Sequence, residues 1–190
     1  GHIGLDMVRD EVARVLDITK RLEMDGVFVP HLAENERPTD AAGWATFGQQ
    51  LAEIGKPYLD AGLKFGWHNH DFEFADLGGS DRPMDLIMQG GDSLSLELDI
   101  AWVQVGGDDP LAWIEKYADR IVAAHIKDIA PDGECTDEDG WADVGHGIMD
   151  WAAIHSALQS AGVGHYVVEH DNPADDERFA QRSLATINKF

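Results

Sequence analysis

Histidine and carboxylate side chains repeatedly stand at or beside the C-terminal ends of short apolar runs in this chain. The five runs are Gly26–His31, Lys64–His70, Ser95–Asp99, Ile121–Asp128 and Tyr166–Asp171. In a parallel β/α barrel the C-terminal ends of the strands form one face, and active sites lie there. The pattern therefore predicts that these side chains converge, and it is typical of a metal-dependent enzyme.

Four of these residues are candidate metal ligands because side chains alternate between the two faces of a strand. His68, Asp99, His125 and Glu169 share the predicted inner face of their strands. Two imidazoles and two carboxylates suit Mn²⁺, Zn²⁺, Fe²⁺ or Co²⁺ better than Ca²⁺. A buried carboxylate also needs a cation, a proton or several hydrogen-bond donors, which favours an ion at this place.

A buried ion-pair network that includes Lys127 is the alternative to a metal site. Lys127 shares a face with His125, where it either stabilises an oxyanion or faces solvent. Glu97 shares a face with Asp99 but lies one layer deeper. We therefore expect Glu97 to support a ligand or to form a salt bridge rather than to bind the ion. We expect His2 to be a surface residue.

The composition indicates an acidic globular protein. The 190 residues are 44% hydrophobic and 26% charged, and the formal net charge is −22. That charge repels nucleic acid and anionic membranes, so neither is an expected partner. Cys135 is the only cysteine, which excludes an intramolecular disulfide and suits a reducing compartment. No apolar stretch is long enough to cross a bilayer, and we expect a cytoplasmic protein.

Apolar periodicity predicts a strict alternation of helices and strands within a single domain that spans residues 1–190. The predicted helices are Leu5–Met24, Ala41–Ala61, Met84–Met88, Pro110–Tyr117, Trp151–Ser160 and Ala174–Asn188. The predicted strands are Val27–Pro30, Lys64–His70, Ser95–Ile100, Ile121–Lys127 and Tyr166–Glu169. Asp150 and either Thr39 or Asp40 are candidate N-caps. Apolar strands joined by helical crossovers predict a parallel sheet without hairpins.

At these residues the chain resembles the sugar phosphate isomerase/epimerase family of xylose-isomerase-like TIM barrels. The resemblance rests on five segments in order: WHNHDFEF (Trp67–Phe74), LELDIAW (Leu96–Trp102), HIKD (His125–Asp128), DVGHGIMD (Asp143–Asp150) and VEHD (Val168–Asp171). It implies an α/β, TIM-barrel-like parallel β/α fold. The fold is expected to be incomplete, with about five β/α units that correspond to strands four to eight of the eight-stranded barrel.

The resemblance also implies one divalent metal ion, which would be Mn, Zn, Co, Fe or Mg, and a small-molecule sugar substrate. The implied ligands are His68, Asp99, His125 and Glu169. His68 departs from the family pattern because many relatives carry glutamate there. Trp102 stands where many relatives carry a substrate-contacting histidine. Because the first three units are missing, we expect either a fragment or a homo-oligomer that completes the barrel.

The reaction that the resemblance implies is isomerisation or epimerisation of a keto sugar or sugar phosphate through an enediolate. Glu169 is the predicted base, and His70 or Lys127 would serve the opposite face of the substrate. The predicted substrate contacts are Glu73, Trp102 and His31.

Three alternatives to the isomerase remain open. A dehydratase or lyase could use the same scaffold, because an enediolate can expel a β-leaving group. A barrel remnant without catalytic activity could serve as a scaffold. A metal phosphodiesterase or endonuclease is disfavoured by the net charge of −22.

Overall fold

The structure, a computed structural model, describes residues 1–190 as an alternation of helices and strands. The helices are α1 (Leu5–Asp10), α2 (Val12–Arg21), α3 (Ala41–Asp60), α4 (Pro83–Gln89), α5 (Ile100–Val105), α6 (Pro110–Lys116), α7 (Trp151–Ser160) and α8 (Asp176–Ile187). The strands are β1 (Gly26–Val29), β2 (Lys64–His68), β3 (Ser95–Asp99), β4 (Ile121–Ile126), β5 (Asp128–Ile129), β6 (Trp141–Ala142) and β7 (His165–Val168). Short 3₁₀ helices occur at Glu34–Glu36, Phe72–Phe74 and Thr136–Glu138.

Five strands form one sheet in the order β1-β2-β3-β4-β7. β1 pairs with β2, β2 with β3 and β4 with β7 in parallel. His68 is the register partner of Glu97, and His125 is the partner of Val167. The parallel sheet with helical crossovers confirms the predicted α/β class, and the number of its strands agrees with five β/α units.

The first of two compact units spans Gly1–Glu97 and has an aromatic core. Tyr58 and Phe65 stack with their ring centroids 5.2 Å apart, and the buried Trp67 meets Phe47 edge to face at 5.3 Å. These rings fix α3 against β2. Asp40 accepts a hydrogen bond from the Gly43 amide at 2.8 Å, which confirms the predicted N-cap of α3.

Two close backbone approaches in this unit require glycine. A Cβ atom on Gly66 would lie 1.7 Å from the carbonyl oxygen of Ser95, so β2 and β3 could not keep their register. A Cβ atom on Gly90 would lie 2.0 Å from the carbonyl carbon of Gly48, in the contact of α3 with the end of α4. Any larger side chain at these positions would push backbone segments apart.

The second compact unit spans Leu98–Phe190. In it β4 pairs with β7, and α7 buries Ile154 and Leu158. Asp150 accepts a hydrogen bond from the Ala153 amide at 3.1 Å, which confirms the predicted N-cap of α7. β5 and β6 pair antiparallel in a two-stranded ribbon, so the prediction of a chain without hairpin-type pairing is wrong in this segment.

Most element boundaries differ from prediction by one or two residues, and the predicted strand Lys64–His70 ends at His68. Two differences have a visible structural cause. The predicted helix Leu5–Met24 is two helices, because Glu11 leaves the helical region with φ −122° and ψ 39°. The predicted strand Ser95–Ile100 ends one residue earlier, because the Asp99 side chain caps α5 and the helix begins at Ile100. None of the helices is both long and apolar enough to cross a membrane.

Candidate metal and substrate site

Asp99, His125 and Glu169 lie together in the second unit. Asp99 is the last residue of β3, His125 lies in β4, and Glu169 directly follows β7. The Nδ1 atom of His125 is 2.7 Å from a carboxylate oxygen of Glu169 and 3.8 Å from one of Asp99. One donor atom from each residue lies within 4.8 Å of the other two. The structure therefore brings together three of the four predicted ligands.

Asp99 is fully buried, and its two oxygens have different neighbours. Oδ1 accepts a hydrogen bond from the Trp102 amide at 3.0 Å, while Oδ2 is the oxygen nearest His125. Burial raises the pKa of the Asp99 carboxyl to about 7, although Lys127 and His125 act in the opposite direction. A cation beside this group would remove the cost of burying its charge.

Lys127 is a buried cation beside these carboxylates. Its Nζ atom donates to Asp171 at 2.5 Å and lies 3.6 Å from an oxygen of Glu169. The same ammonium lies 4.4 Å from the ring centroid of Trp141 and 5.1 Å from that of Trp102. Lys127 therefore does not face solvent. The ion pairs of Lys127 that a buried ion-pair network would contain, as the alternative to a metal site, are present. Its contacts hold one positive charge at a fixed place among carboxylates.

An open cleft of about 670 Å³ lies beside three residues that contact Lys127, whereas Asp99, His125 and Glu169 do not line it. Trp102, Trp141 and Asp171 line it together with residues of the 129–140 loop. The two indole rings meet edge to face with centroids 4.8 Å apart. The predicted substrate contact Trp102 thus lies on a cleft wall. Asp171 ends the last of the five apolar runs, whereas nothing in the sequence pointed to Trp141.

Asp128 holds the loop that follows β4, a role that the sequence did not reveal. Its buried carboxylate accepts hydrogen bonds from the amides of Gly145, Gly147 and Met149 and from Nε1 of Trp151. These donors lie 17 to 23 residues further along the chain. The Asp128 carboxylate therefore holds in place the end of the loop, where the chain passes from the cleft to α7.

A second set of ion pairs ties the same loop to α8. Arg178 donates to Glu138 at 2.9 Å and to Asp143 at 3.1 Å, and Arg182 lies 2.7 Å from Asp143. Glu138 also accepts a hydrogen bond from the Ala174 amide. This hydrogen bond, together with the contacts to Arg178, holds the pKa of the Glu138 carboxyl below its usual range. The loop is thus anchored at both ends.

His68 lies in the first unit with two other potential ligands. The ring centroids of His68 and His2 are 4.6 Å apart. His2 Nε2 makes a short hydrogen bond with an oxygen of Glu97, and Nδ1 of His68 is 3.6 Å from the same oxygen. The expected salt bridge of Glu97 is therefore present. His2 is exposed, as expected of a surface residue, and it also contacts Glu97. A role for His68 with the other predicted ligands stays a prediction.

Glu73 is buried behind the strand that carries His68. Its oxygens accept hydrogen bonds from Nε1 of Trp67 at 2.7 Å and from the His70 amide at 2.9 Å. Burial raises the pKa of Glu73 to about 8, and the two hydrogen bonds act in the opposite direction. These contacts position the loop after β2, and the predicted contact of Glu73 with substrate is untested.

His70 and His31 belong to a mixed aromatic and cationic cluster in the first unit. Their ring centroids are 5.4 Å apart, and His70 stacks on Phe72 at 6.2 Å. The guanidinium of Arg37 lies 3.6 Å from the ring centroid of Phe72. His31 is exposed, as a residue that meets a substrate would be.

The donors present fit a divalent ion. Asp99, His125 and Glu169 supply two carboxylates and one imidazole, a mixture that Zn²⁺, Mn²⁺ and Fe²⁺ accept. Glu169 is the most accessible of the three, with 35% of its side chain exposed. The full burial of the Asp99 carboxylate, within 4.8 Å of donor atoms of His125 and Glu169, is the observation that argues for a cation here.

A family model described as a xylose isomerase-like TIM barrel matches residues 5–190. The chain belongs to this family. Membership confirms the resemblance that the strand-end motifs indicate, and it confirms an incomplete TIM-barrel-like fold with five parallel strands.

The names of the curated relatives refer to inosose dehydration and to rhizopine catabolism. An inosose dehydratase from Lacticaseibacillus casei is 27% identical over 180 residues, which cover 84% of this chain and 57% of that protein. The chain thus spans little more than half the length of this relative. The rhizopine catabolism protein MocC of Rhizobium meliloti is 27% identical over 90 residues, 47% of this chain and 27% of that protein.

Solved structures agree on the fold. A sugar phosphate isomerase/epimerase from Parabacteroides distasonis superposes with a TM-score of 0.77 at 20% identity, over 99% of this chain and 68% of that chain. The IOLI protein, whose crystal structure contains a zinc atom, superposes with a TM-score of 0.66 at 21% identity, over 94% of this chain and 67% of that chain. At these identities the likeness concerns the fold alone.

Proposed function

We propose that this chain carries the metal-binding part of an enzyme that isomerises or epimerises a keto sugar or sugar phosphate. The observation that supports this most directly is the convergence of Asp99, His125 and Glu169 at strand ends, beside the buried Lys127. The proposed reaction begins with removal of a proton from the carbon beside a carbonyl, which gives an enediolate.

The proposed ligands of the ion are Asp99, His125 and Glu169, with donor atoms within 4.8 Å of one another. When bound, a divalent ion polarises a carbonyl oxygen and acidifies the neighbouring C–H group. His68, the fourth ligand that the sequence predicts, lies in the other unit and stays a prediction. The identity of the metal among Mn, Zn, Co, Fe and Mg is part of the test.

Glu169 is the proposed proton-transfer group. Its side chain is 35% exposed, whereas Asp99 and His125 are buried. A carboxylate has two oxygens, so Glu169 can bind the ion with one and accept a proton on the other. The 2.7 Å contact with His125 orients the carboxylate. A well-placed base contributes about 10²- to 10⁴-fold to a rate.

Lys127 is the proposed stabiliser of negative charge on the substrate. Its ammonium is held by Asp171 at 2.5 Å, which fixes the position of the positive charge proposed to act on a developing oxyanion. Trp102 and Trp141 line the adjoining cleft, and we propose that their rings pack against the C–H face of the sugar. His70, the other predicted group for the opposite face, stays a prediction from the sequence.

Dehydration is a second candidate reaction, favoured by the names of the curated relatives. Three of them are inosose dehydratases, which are 25% to 27% identical to this chain. The first step is the same proton removal, after which the enediolate expels a β-hydroxyl as water. The residues proposed for the first step therefore serve both reactions.

The test is to incubate 3-keto sugars, their phosphates and inososes with the protein and Mn²⁺, Zn²⁺ or Co²⁺ in D₂O. We expect deuterium in the carbon beside the carbonyl, measured by NMR. A product that has also lost water identifies a dehydratase. Glu169→Gln should slow exchange about 100-fold or more. Failure of every substrate to exchange deuterium or disappear would sink the proposal.

His165→Ala is the matched control for that variant. His165 is an exposed histidine of β7, four residues before Glu169. Exchange by this variant should equal that of the unaltered chain.

A further inference from the structure

The cleft in the second unit lies beside the proposed metal centre rather than at it. Lys127 connects the two, because its ammonium is 3.6 Å from an oxygen of Glu169 and close to the rings of Trp102 and Trp141. Both rings line the cleft, whereas Glu169 does not. A cleft in this position suits a part of the substrate that does not itself react.

Helix α5 shows how far the cleft extends from the metal centre. Asp99 caps the start of α5, and Trp102 and Val105 both line the cleft. These two residues are three positions apart, which places them on one face of the helix. At 1.5 Å per residue, Val105 lies about 9 Å from Asp99 along the helix axis. The cleft therefore continues well beyond the proposed ligand.

The ribbon of β5 and β6 forms a second wall of the same kind. Ile129 and Trp141 are register partners in this antiparallel pair, so their side chains lie on the same face, and both line the cleft. Each wall thus combines an indole ring with an aliphatic side chain. Val105 is 46% exposed, which leaves apolar surface uncovered at its end of the cleft.

The volume of the cleft exceeds what a single sugar ring needs. The cleft has a volume of about 670 Å³. A keto hexose has about a dozen non-hydrogen atoms, which fill only about 360 Å³ even at the roughly 30 Å³ that a water molecule occupies in the liquid. Space therefore remains for a second group that is joined to the sugar.

The charges at the cleft restrict the chemistry of that group. Asp132, Glu134 and Asp139 line the cleft and are exposed. Their carboxylates repel a negatively charged group, whereas the aliphatic side chains of the two walls favour an apolar one. An uncharged aromatic or aliphatic group satisfies both conditions.

We propose that this cleft binds the aglycone of a keto glycoside, which is an uncharged aryl or alkyl group joined to the sugar. This assignment rests on the proposed function, which assigns the sugar half to the metal centre. The aglycone contacts Val105 and Ile129, and the removal of apolar surface from water on both sides supplies the affinity. The cleft thereby selects glycosides over free keto sugars.

Binding without reaction tests this proposal. Phenyl β-glucoside and methyl β-glucoside lack a carbonyl group, and each is titrated into the full chain by isothermal calorimetry in the presence of Zn²⁺. We expect the phenyl glucoside to bind at least about tenfold more tightly, because its ring buries more apolar surface. The 4-carboxyphenyl glucoside should bind more weakly than the phenyl glucoside. The proposal is overturned if the phenyl compound binds no more tightly than either of the other two.

A pair of matched variants locates the binding of the phenyl group. Val105 and Ile148 are both exposed aliphatic residues, but only Val105 lines the cleft. Val105→Asn should remove most of the preference for phenyl over methyl glucoside, and Ile148→Asn should keep it. Circular dichroism verifies that both variants are folded. An unchanged preference in Val105→Asn would contradict the proposed subsite.

The outcomes for the cleft and for the enzyme are distinguishable. Deuterium exchange into keto sugars without a phenyl preference would overturn the aglycone subsite and leave the proposed enzyme intact. A phenyl preference that Val105→Asn removes, in a chain that exchanges no deuterium, would support the cleft as a glycoside-binding site and contradict the proposed reaction.

Discussion

At the scale of single residues, Asp99 combines a structural and a chemical task. One oxygen caps α5 through the Trp102 amide, and the other is the oxygen nearest His125. The two tasks need different properties: capping needs a hydrogen-bond acceptor, and cation binding needs a negative charge. Substitutions that remove only one property can therefore separate folding from metal binding.

Asp99→Asn should keep the fold and lose the ion. The asparagine carbonyl can accept the Trp102 hydrogen bond, so the free energy of unfolding of the metal-free protein should change by less than about 1 kcal/mol. Zn²⁺ affinity, measured by competition with a chromophoric chelator, should fall at least about 100-fold. Asp99→Ala should lose the cap as well and should unfold at a lower denaturant concentration. Unchanged affinity in Asp99→Asn would show that Asp99 is not a ligand.

The proximity of these side chains could be anticipated from sequence because strand alternation and burial are local rules. His125 and Asp99 each lie on the predicted face of a buried apolar strand, and they converge as the alternation requires. His2 escaped notice because its partner Glu97 is 95 residues away, and no local pattern marks such a pair. Glu73 is a predicted substrate contact, and no local sequence pattern indicates that Trp67 and the His70 amide hold its carboxylate in the interior.

At the scale of elements, the segment between β4 and α7 is organised around one carboxylate. Asp128 accepts hydrogen bonds from three loop amides and from the Trp151 indole. The same segment forms the β5–β6 ribbon and contributes Trp141 to the cleft. The position of the cleft wall therefore depends on Asp128, which need not contact a substrate itself.

Asp128→Asn should loosen this segment. An asparagine presents an NH₂ group to some of the present donors, so buried amides lose their acceptor and the free energy of unfolding should fall by about 3 kcal/mol. Chemical denaturation measures that loss, and limited proteolysis should cut the 129–147 segment sooner. Asp132→Asn, an exposed change in the same loop, should alter neither result. Equal stability of the two variants would contradict the anchoring role.

The elements that the sequence predicted well are those stabilised by continuous burial. β2 and β4 are strands of five and six residues that are buried at all but one position each, and α3 and α7 have aspartate caps at their starts. The ribbon of β5 and β6 was not predictable, since each strand has only two residues. The break at Glu11 was missed because both flanking segments have helical periodicity.

At the scale of the whole molecule, acidity is the dominant property. The chain carries 36 aspartates and glutamates against 14 lysines and arginines. Several of the basic residues, Lys127 and Arg178 among them, are engaged by specific carboxylates. The remaining acidic side chains repel one another in the folded state, and dissolved salt screens that repulsion.

Raising NaCl from 10 to about 500 mM should therefore stabilise the protein. If screening contributes about 1 to 2 kcal/mol, the Tm should rise by about 3 to 6 °C for a chain of this size. Differential scanning calorimetry measures the shift, and choline chloride at equal ionic strength is the control for specific Na⁺ binding. A Tm that stays constant or falls over this range would show that specific ion pairs outweigh the general repulsion.

The placement of Lys127 against two indole rings also gives the molecule an optical property. Trp102 and Trp141 border the cleft, and both lie within about 5 Å of the same ammonium, a distance at which a charge perturbs an aromatic π-system. A molecule that entered the cleft would change the surroundings of both rings at once. The intrinsic fluorescence of the chain can thus report occupancy of the cleft without any attached dye, before a substrate or a reaction has been identified.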